Sequence, residues 1–140
     1  MTVVSLDYGF VSRHTGDDGP SLTVLFGHDR ATKSVLALPT PSKGGSSLSY
    51  LVTETCCWVL TLGHQEIRLR SDNDPAIVAV AEAVREALRS MSVISTVEST
   101  PVGSHASNGP VEQTVQAVRQ LTCTIVSALE AKCGAQPDQE

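Results

Sequence analysis

Three carboxylates stand at positions where an acid is either costly or useful. Asp7 falls midway along the alternating, largely apolar run from Thr2 to Val11; Asp72 follows the alternating run Glu66 to Arg70. Glu112 lies in the first turn of a helical pattern that opens after Ser107-Asn108-Gly109. A carboxylate inside an apolar strand is expensive to bury without a partner. An acid at a strand end often caps the next helix, and one in a first helical turn is favoured by the helix dipole alone, so the set carries more weight than its members. In an open α/β sheet, functional groups collect at the carboxyl ends of adjacent strands. If the strands bearing Asp7 and Asp72 are neighbours, the two acids meet there, and Glu112 reaches in from a covering helix. Three convergent carboxylates, with no Lys or Arg expected among them, repel one another unless a hard cation neutralises them. Mg²⁺ or Mn²⁺ is the natural occupant, and two such ions about 3.5–4 Å apart stabilise both the attacking and the leaving oxygen of an in-line phosphoryl displacement.

The hydrophobic pattern predicts the elements that position these groups. Thr2 to Val11 reads as a first strand, broken by the turn-rich Thr15-Gly16-Asp17-Asp18-Gly19-Pro20. Leu22–Phe26 and Ser34–Leu38 are β-prone runs flanking the polar connector Asp29–Lys33, giving a three-stranded antiparallel meander that Pro39 and Pro41 are expected to end. Apolar residues from Leu48 to Leu62 recur at three and four, a helix stopped by Gly63. Glu66–Arg70 is a fourth strand, Pro75 to Leu88 a helix capped by Asp72 or Asp74, and Val93–Val97 a fifth strand. This strand–helix–strand unit implies parallel pairing with a right-handed crossover. After a loop from Glu98 to Gly109, a last helix from Pro110 to Lys132 presents Val111, Val115, Val118, Leu121, Ile125 and Leu129 on one face. The expected fold is one α/β domain over residues 1–133, with a five-stranded mixed sheet (three antiparallel strands, then two parallel), flanking helices and a frayed tail over 134–140.

Composition narrows the function. The chain has 140 residues, 41% of them hydrophobic, enough for one globular core and too few for two domains. Its apolar runs fall short of a membrane span, and Met1 to Phe10 lacks the basic start of a signal peptide, so a soluble intracellular protein is expected. A net charge of −5 argues against a self-sufficient nucleic-acid binder. Cys56, Cys57, Cys123 and Cys133 form no CxxC pair or zinc-ligand spacing and read as small, buried, reduced residues. His14, His28, His64 and His105 have no mutual metal spacing either, and read as surface or hydrogen-bonded loop residues. Lys43 beside Gly44-Gly45, Arg119 seven residues after Glu112, and His105 just before the Asn-Gly turn are the candidates for phosphate contacts.

Taken in order, Ser5-Leu6-Asp7-Tyr8-Gly9-Phe10, Leu69-Arg70-Ser71-Asp72-Asn73-Asp74-Pro75 and Ser107-Asn108-Gly109-Pro110-Val111-Glu112 resemble the catalytic core of retrotransposon and retroviral integrases, of the Asp, Asp, Glu type on a ribonuclease H-like fold. The likeness runs from about Leu6 to Leu121, and the Asn-Gly-x-x-Glu turn after an Asp-Asn strand end is its specific part. Between Asp72 and Glu112 lie 39 residues, and Ser104-His105-Ala106-Ser107 stands where many retroelement integrases carry a Pro-Gln pair.

The resemblance implies a two-metal polynucleotidyl transferase that processes DNA 3′ ends and joins them to target DNA. Asp7 and Asp72 would hold one Mg²⁺ or Mn²⁺, Asp7 and Glu112 the other. Asn73 would orient the loop beside Asp72, and Asn108 and Gly109 would shape the turn that starts the last helix next to the metals. It further implies retroelement DNA and a second copy of the chain as partners, no membrane, and a nuclear location, with a cytoplasmic precursor particle. The family's His/Cys zinc module and basic carboxyl-terminal module are not in this sequence, and full integration is expected to need them. Two other readings share these residues: an inactive integrase-derived remnant serving as an interaction or dimerisation module, and a ribonuclease H-type nuclease.

Overall fold

The computed structural model describes residues 1–12, 21–43, 45–99 and 109–133, leaving aside the side chains of residues 12, 21, 109–112, 126, 130 and 133. The predicted turn at 15–20, the loop segment 100–108 and the tail 134–140 lie outside the described residues, as do His14, His105 and Asn108. Strands β1 (Thr2–Ser12), β2 (Ser21–Asp29) and β3 (Val35–Thr40) precede helix α1 (Leu48–Leu62); then come β4 (Glu66–Ser71), α2 (Pro75–Arg89), β5 (Ile94–Ser99) and α3 (Gly109–Cys133). The sheet order is β3-β2-β1-β4-β5. β1–β2 and β2–β3 pair antiparallel, while β1–β4 and β4–β5 pair parallel. This is the mixed sheet expected from the sequence.

β1 is central and buried on both faces, so its alternation separates two layers. Val4, Leu6 and Tyr8 join Leu25, Ile67 and Leu69 beneath α1 and α2, in the larger core. On the opposite face Val11, Val24 and Phe26 meet Val115 of α3. Gly9 is what lets α3 approach: a Cβ there would stand 2.8 Å from the Phe26 ring and 3.2 Å from Val115 Cγ1. On the other side of the sheet the Trp58 ring of α1 passes over Gly27, and its Nε1 donates to Ser34 Oγ at 3.0 Å. Gly63 ends α1 in the left-handed conformation at φ 76°, which a glycine adopts without steric penalty.

Several boundaries differ from expectation for identifiable reasons. β3 runs through Pro39 to Thr40, because β3 is an edge strand and a proline there removes no ladder bond from a second neighbour. Asp29 is not a solvated connector residue but the fully buried end of β2. His28 likewise lies in a strand, half-buried. Leu121, Ile125 and Leu129 are 60%, 50% and 40% exposed, so only the first half of the apolar face of α3 packs on the sheet. Of the cysteines, Cys56 is buried, and burial raises its thiol pKa; Cys57 is exposed and Cys123 half-buried. No helix among the described residues is long and apolar enough to cross a membrane.

Asp29 ties together the amino-terminal ends of β1 and β4. Its carboxylate accepts from Thr32 Oγ1 at 2.6 Å, from the N–H groups of Ala31 and Thr32, and from Thr2 Oγ1 at 3.2 Å. His64, just before β4, lies 2.8 Å from Oδ2 through Nε2. Burial by itself pushes this carboxyl up, but the Thr32 hydroxyl, the His64 ring and the two backbone N–H groups outweigh it and hold the pKa down to about 2. A folded-state pKa below the unfolded value contributes stability that is complete above the unfolded pKa and disappears as pH falls through the folded one. Asp29 therefore contributes roughly 2 kcal/mol at neutral pH, lost between about pH 4 and pH 2. Asp29→Ala is expected to lower stability at pH 7 by roughly 2–4 kcal/mol in urea titrations, with the gap to wild type narrowing sharply by pH 2.

Candidate active site

The parallel ladder between β1 and β4 runs from Thr2↔Ile67 to Ser5↔Arg70. Extended by two residues on each strand, that register would set Asp7 level with Asp72. Parallel neighbours lie about 4.8 Å apart, so the two acids occupy adjoining positions at the carboxyl end of β4. Beyond that point β1 continues to Ser12, paired with β2 alone, and Asp7 is matched there with Phe26. By strand alternation, Asp7 shares the α3 face with Ser5 and Gly9, and Asp72 shares it with Arg68 and Arg70.

Local hydrogen bonds orient both acids. Asp7 Oδ1 accepts from the N–H of Tyr8 at 2.9 Å. Asp72 Oδ1 accepts from the N–H of Asp74 at 3.1 Å, an Asx turn whose central residue is the exposed Asn73. Of the two candidate caps it is Asp74 that serves α2, through Oδ1 and the N–H of Ala76 at 3.1 Å, leaving Asp72 outside the helix. The Ala76 N–H above all, with Lys43 adding less, holds the Asp74 carboxyl below its ordinary range against the opposing effect of burial.

Lys43 does come to this end of the sheet. Its Nζ sits 3.3 Å from Asp74 Oδ2 and lies over the rings of Tyr8 and Phe10, 5.7 and 5.4 Å from their centroids. Arg119 is engaged with the backbone: its Nε donates to the Phe10 carbonyl at 2.6 Å, fixing α3 along β1. Glu112 is in the first turn of α3, one turn before the Val115 contact with Gly9, and Gly109 is the first residue of that helix. The side chain of Glu112 lies outside the described residues, as does Asn108. Among the described residues no three His, Cys, Asp or Glu side chains gather as a metal-ligand set. The two acids that are described, Asp7 and Asp72, are hard oxygen donors suited to Mg²⁺ or Mn²⁺ rather than to a soft metal. Oδ2 of Asp72 accepts no hydrogen bond among the described residues.

Sequence reasoning missed the basic residue next to these acids. Arg70 stands two residues before Asp72 on the same face, and its Nη2 reaches Glu98 Oε2 at 3.2 Å. Arg68 Nε lies 3.8 Å from the same oxygen. The alternation of Glu66–Arg70 carries the signal, since residues 68, 70 and 72 share one side of a strand.

Solved structures with this fold include three integrase assemblies. The catalytic core domain of BIV integrase matches with a TM-score of 0.53 and 15% identity, over 94% of this chain and 72% of that one. The HTLV-2 integrase catalytic core domain, solved in complex with magnesium in a dimeric form, matches with a TM-score of 0.59 and 14% identity, over 96% and 76%. Integrase in a simian T-cell lymphotropic virus intasome matches with a TM-score of 0.57 and 17% identity, and there the chain spans 42% of the longer protein. No family model matches the chain, nor does any curated protein. The fold is that of the ribonuclease H-like integrase catalytic core.

The cap beside the site gives a direct check. Asp74→Ala is expected to lower stability by about 1 kcal/mol and to release Lys43, whereas Asp74→Asn keeps the cap acceptor and loses only the ion pair. Urea unfolding of the two variants should separate them by most of that amount.

Proposed function

We propose that the chain is an integrase-type polynucleotidyl transferase acting on DNA, with Asp7, Asp72 and Glu112 holding two Mg²⁺ or Mn²⁺ ions. The observation that supports this reading is the parallel register of β1 and β4, which, extended two residues beyond Ser5 and Arg70, sets Asp7 against Asp72 within an integrase-core fold. When bound, the metal ions would activate the attacking oxygen and stabilise the leaving one. The protein's own part is positional. The Tyr8 and Asp74 N–H groups fix one oxygen of each aspartate, and Gly9 admits the helix that bears Glu112. Asn73 is proposed to orient the turn beside Asp72, and Asn108 with Gly109 to shape the entry to the last helix. Lys43, His105 and Arg119 are proposed contacts to DNA at the rim. The exposed Leu121, Ile125 and Leu129 on α3 support self-association as a homodimer, and a nuclear location follows from a DNA substrate.

Metal linkage offers a test that does not need turnover. Clustered carboxylates repel when empty, so a bound cation stabilises the fold by mass action. Saturating Mn²⁺ is expected to raise the thermal midpoint of the wild type by an amount equivalent to about 1–3 kcal/mol, with little effect on Asp72→Asn. Equal midpoints with and without Mn²⁺ would favour the non-catalytic interaction module.

Activity is best sought where no other module is required. A branched DNA that presents both reacting groups together should be resealed slowly in Mn²⁺ at low salt. The products, read on a denaturing gel, should vanish in Asp7→Asn, Asp72→Asn and Glu112→Gln, each of which removes a ligand charge with almost no change in shape. Turnover that survives all three substitutions would place the chemistry elsewhere.

A further inference from the structure

The face that carries Asp7 and Asp72 is covered unevenly. There α3 packs on β1 and β2, whereas β4 and β5 receive α2 from the opposite face. Among the described residues, this half therefore presents the outward side chains of β4 and β5, namely Glu66, Arg68, Ile94, Thr96 and Glu98 with the half-buried Arg70, leading to Asp72. Arg70 is directly across from Glu98, and Arg68 from Thr96. Alternate residues of a strand stand about 6.6 Å apart, so the Arg70 backbone is one such step from Asp72, and Arg68 two.

The ion pairing on this strip is oversubscribed. Both guanidinium groups turn to one carboxylate oxygen, Glu98 Oε2, at 3.2 and 3.8 Å. Two cations on one anion give that trio a charge of +1, flanked by Glu66 and Asp72 at the two ends of the same side of β4, in a chain whose net charge is −5. Ten N–H donors cannot be satisfied by a single carboxylate, and the exposed Arg68–Glu98 pair contributes only about 0–1 kcal/mol to folding; Arg70, 19% exposed, gains more from the carboxylate, but one carboxylate does not use both guanidinium forks. A phosphodiester does: its oxygens match the guanidinium fork. A phosphodiester approaching Asp7 and Asp72 also needs a cation on its path, because it is an anion moving toward anions.

We propose that Arg70, with Arg68 behind it, forms a phosphate rail along β4 that guides a DNA strand to Asp72, and that Glu98 occupies the guanidinium groups until the DNA backbone displaces it. The inference rests on the polynucleotidyl-transfer reading above. It adds the path by which an acidic chain receives a polyanion.

The test is binding of a fluorescein-labelled branched DNA by the whole chain, followed by anisotropy in Ca²⁺ over a series of salt concentrations. Arg70→Ala is expected to weaken binding about tenfold and to reduce the slope of log affinity against log salt by about 1. Arg70→Gln serves as a second variant that retains the aliphatic stem, and thermal melts of both establish that they fold. Glu98→Gln is expected to tighten binding severalfold, since it removes the competing anion. A purely structural ion ladder predicts weaker or unchanged binding for Glu98→Gln. That result would overturn the proposal, as would an unchanged affinity and salt slope in folded Arg70→Gln, or a wild type that binds no DNA at low salt. The two readings fail separately. Binding through Arg70 without resealing in Mn²⁺ leaves the rail and removes the reaction; resealing that needs Asp72 but ignores Arg68 and Arg70 removes the rail alone.

Discussion

Four residues of parallel pairing, Thr2 to Ser5 against Ile67 to Arg70, set where everything chemical in this molecule can lie. A shift of one residue in that register would turn the β4 side chains over, moving Asp72 to the side of Leu69 and Arg70 into the core. The register is held by the buried set Val4, Leu6, Ile67 and Leu69, all fully excluded from solvent, so slippage would expose most of that layer. The antiparallel partner on the other side of β1 runs on to Ser12. β1 thus outlasts β4, and the acid at position 7 stands where β4 ends rather than deep within a continuous sheet.

The same two strands are fastened at their opposite end by a buried acid of another kind. Asp29 is surrounded by donors, and its charge is stabilising because the hydrogen bonds around it outweigh the loss of water. Asp7 accepts the N–H of Tyr8, and Asp72 that of Asp74. One end of β1–β4 therefore has its electrostatics completed by protein groups. The other keeps acceptor capacity on Asp72 that the described residues do not use.

Much of this was legible in the sequence, and the exceptions have physical causes. The bounds of α1 followed from the helical periodicity and Gly63, and the order of pairing from the βββαβαβα pattern. Pro39 misled because a proline excludes a strand only when both its neighbours need its N–H, and an edge has one neighbour. The burial of Asp29 depends on His64, 35 residues away, and no local pattern announces it. Leu121, Ile125 and Leu129 keep helical spacing after α3 leaves the sheet, because periodicity identifies an apolar face and not what covers it. The positions of Asp7 within β1 and of Asp72 just after β4 were legible from the strand patterns. Arg70 was overlooked because compensating charge was sought around the acids rather than along the same side of β4, and Glu112 is placed by its helix backbone alone.

Trp58 gives the molecule an optical asymmetry. It is the chain's one tryptophan, and its ring lies over Gly27 with the indole N–H on Ser34. Its emission therefore reports the docking of α1 onto β2 and β3 and is remote from the layer formed by α3. Far-ultraviolet ellipticity, by contrast, samples both layers, with 25 helical residues in α3 and 15 each in α1 and α2. One signal reports a single face of the sheet, the other both. If the small cluster of Val11, Val24, Phe26 and Val115 opens before the larger core, ellipticity will fall while the indole spectrum stays native. The chain thus carries, without any added label, a means of telling the loosening of one face from the collapse of the whole.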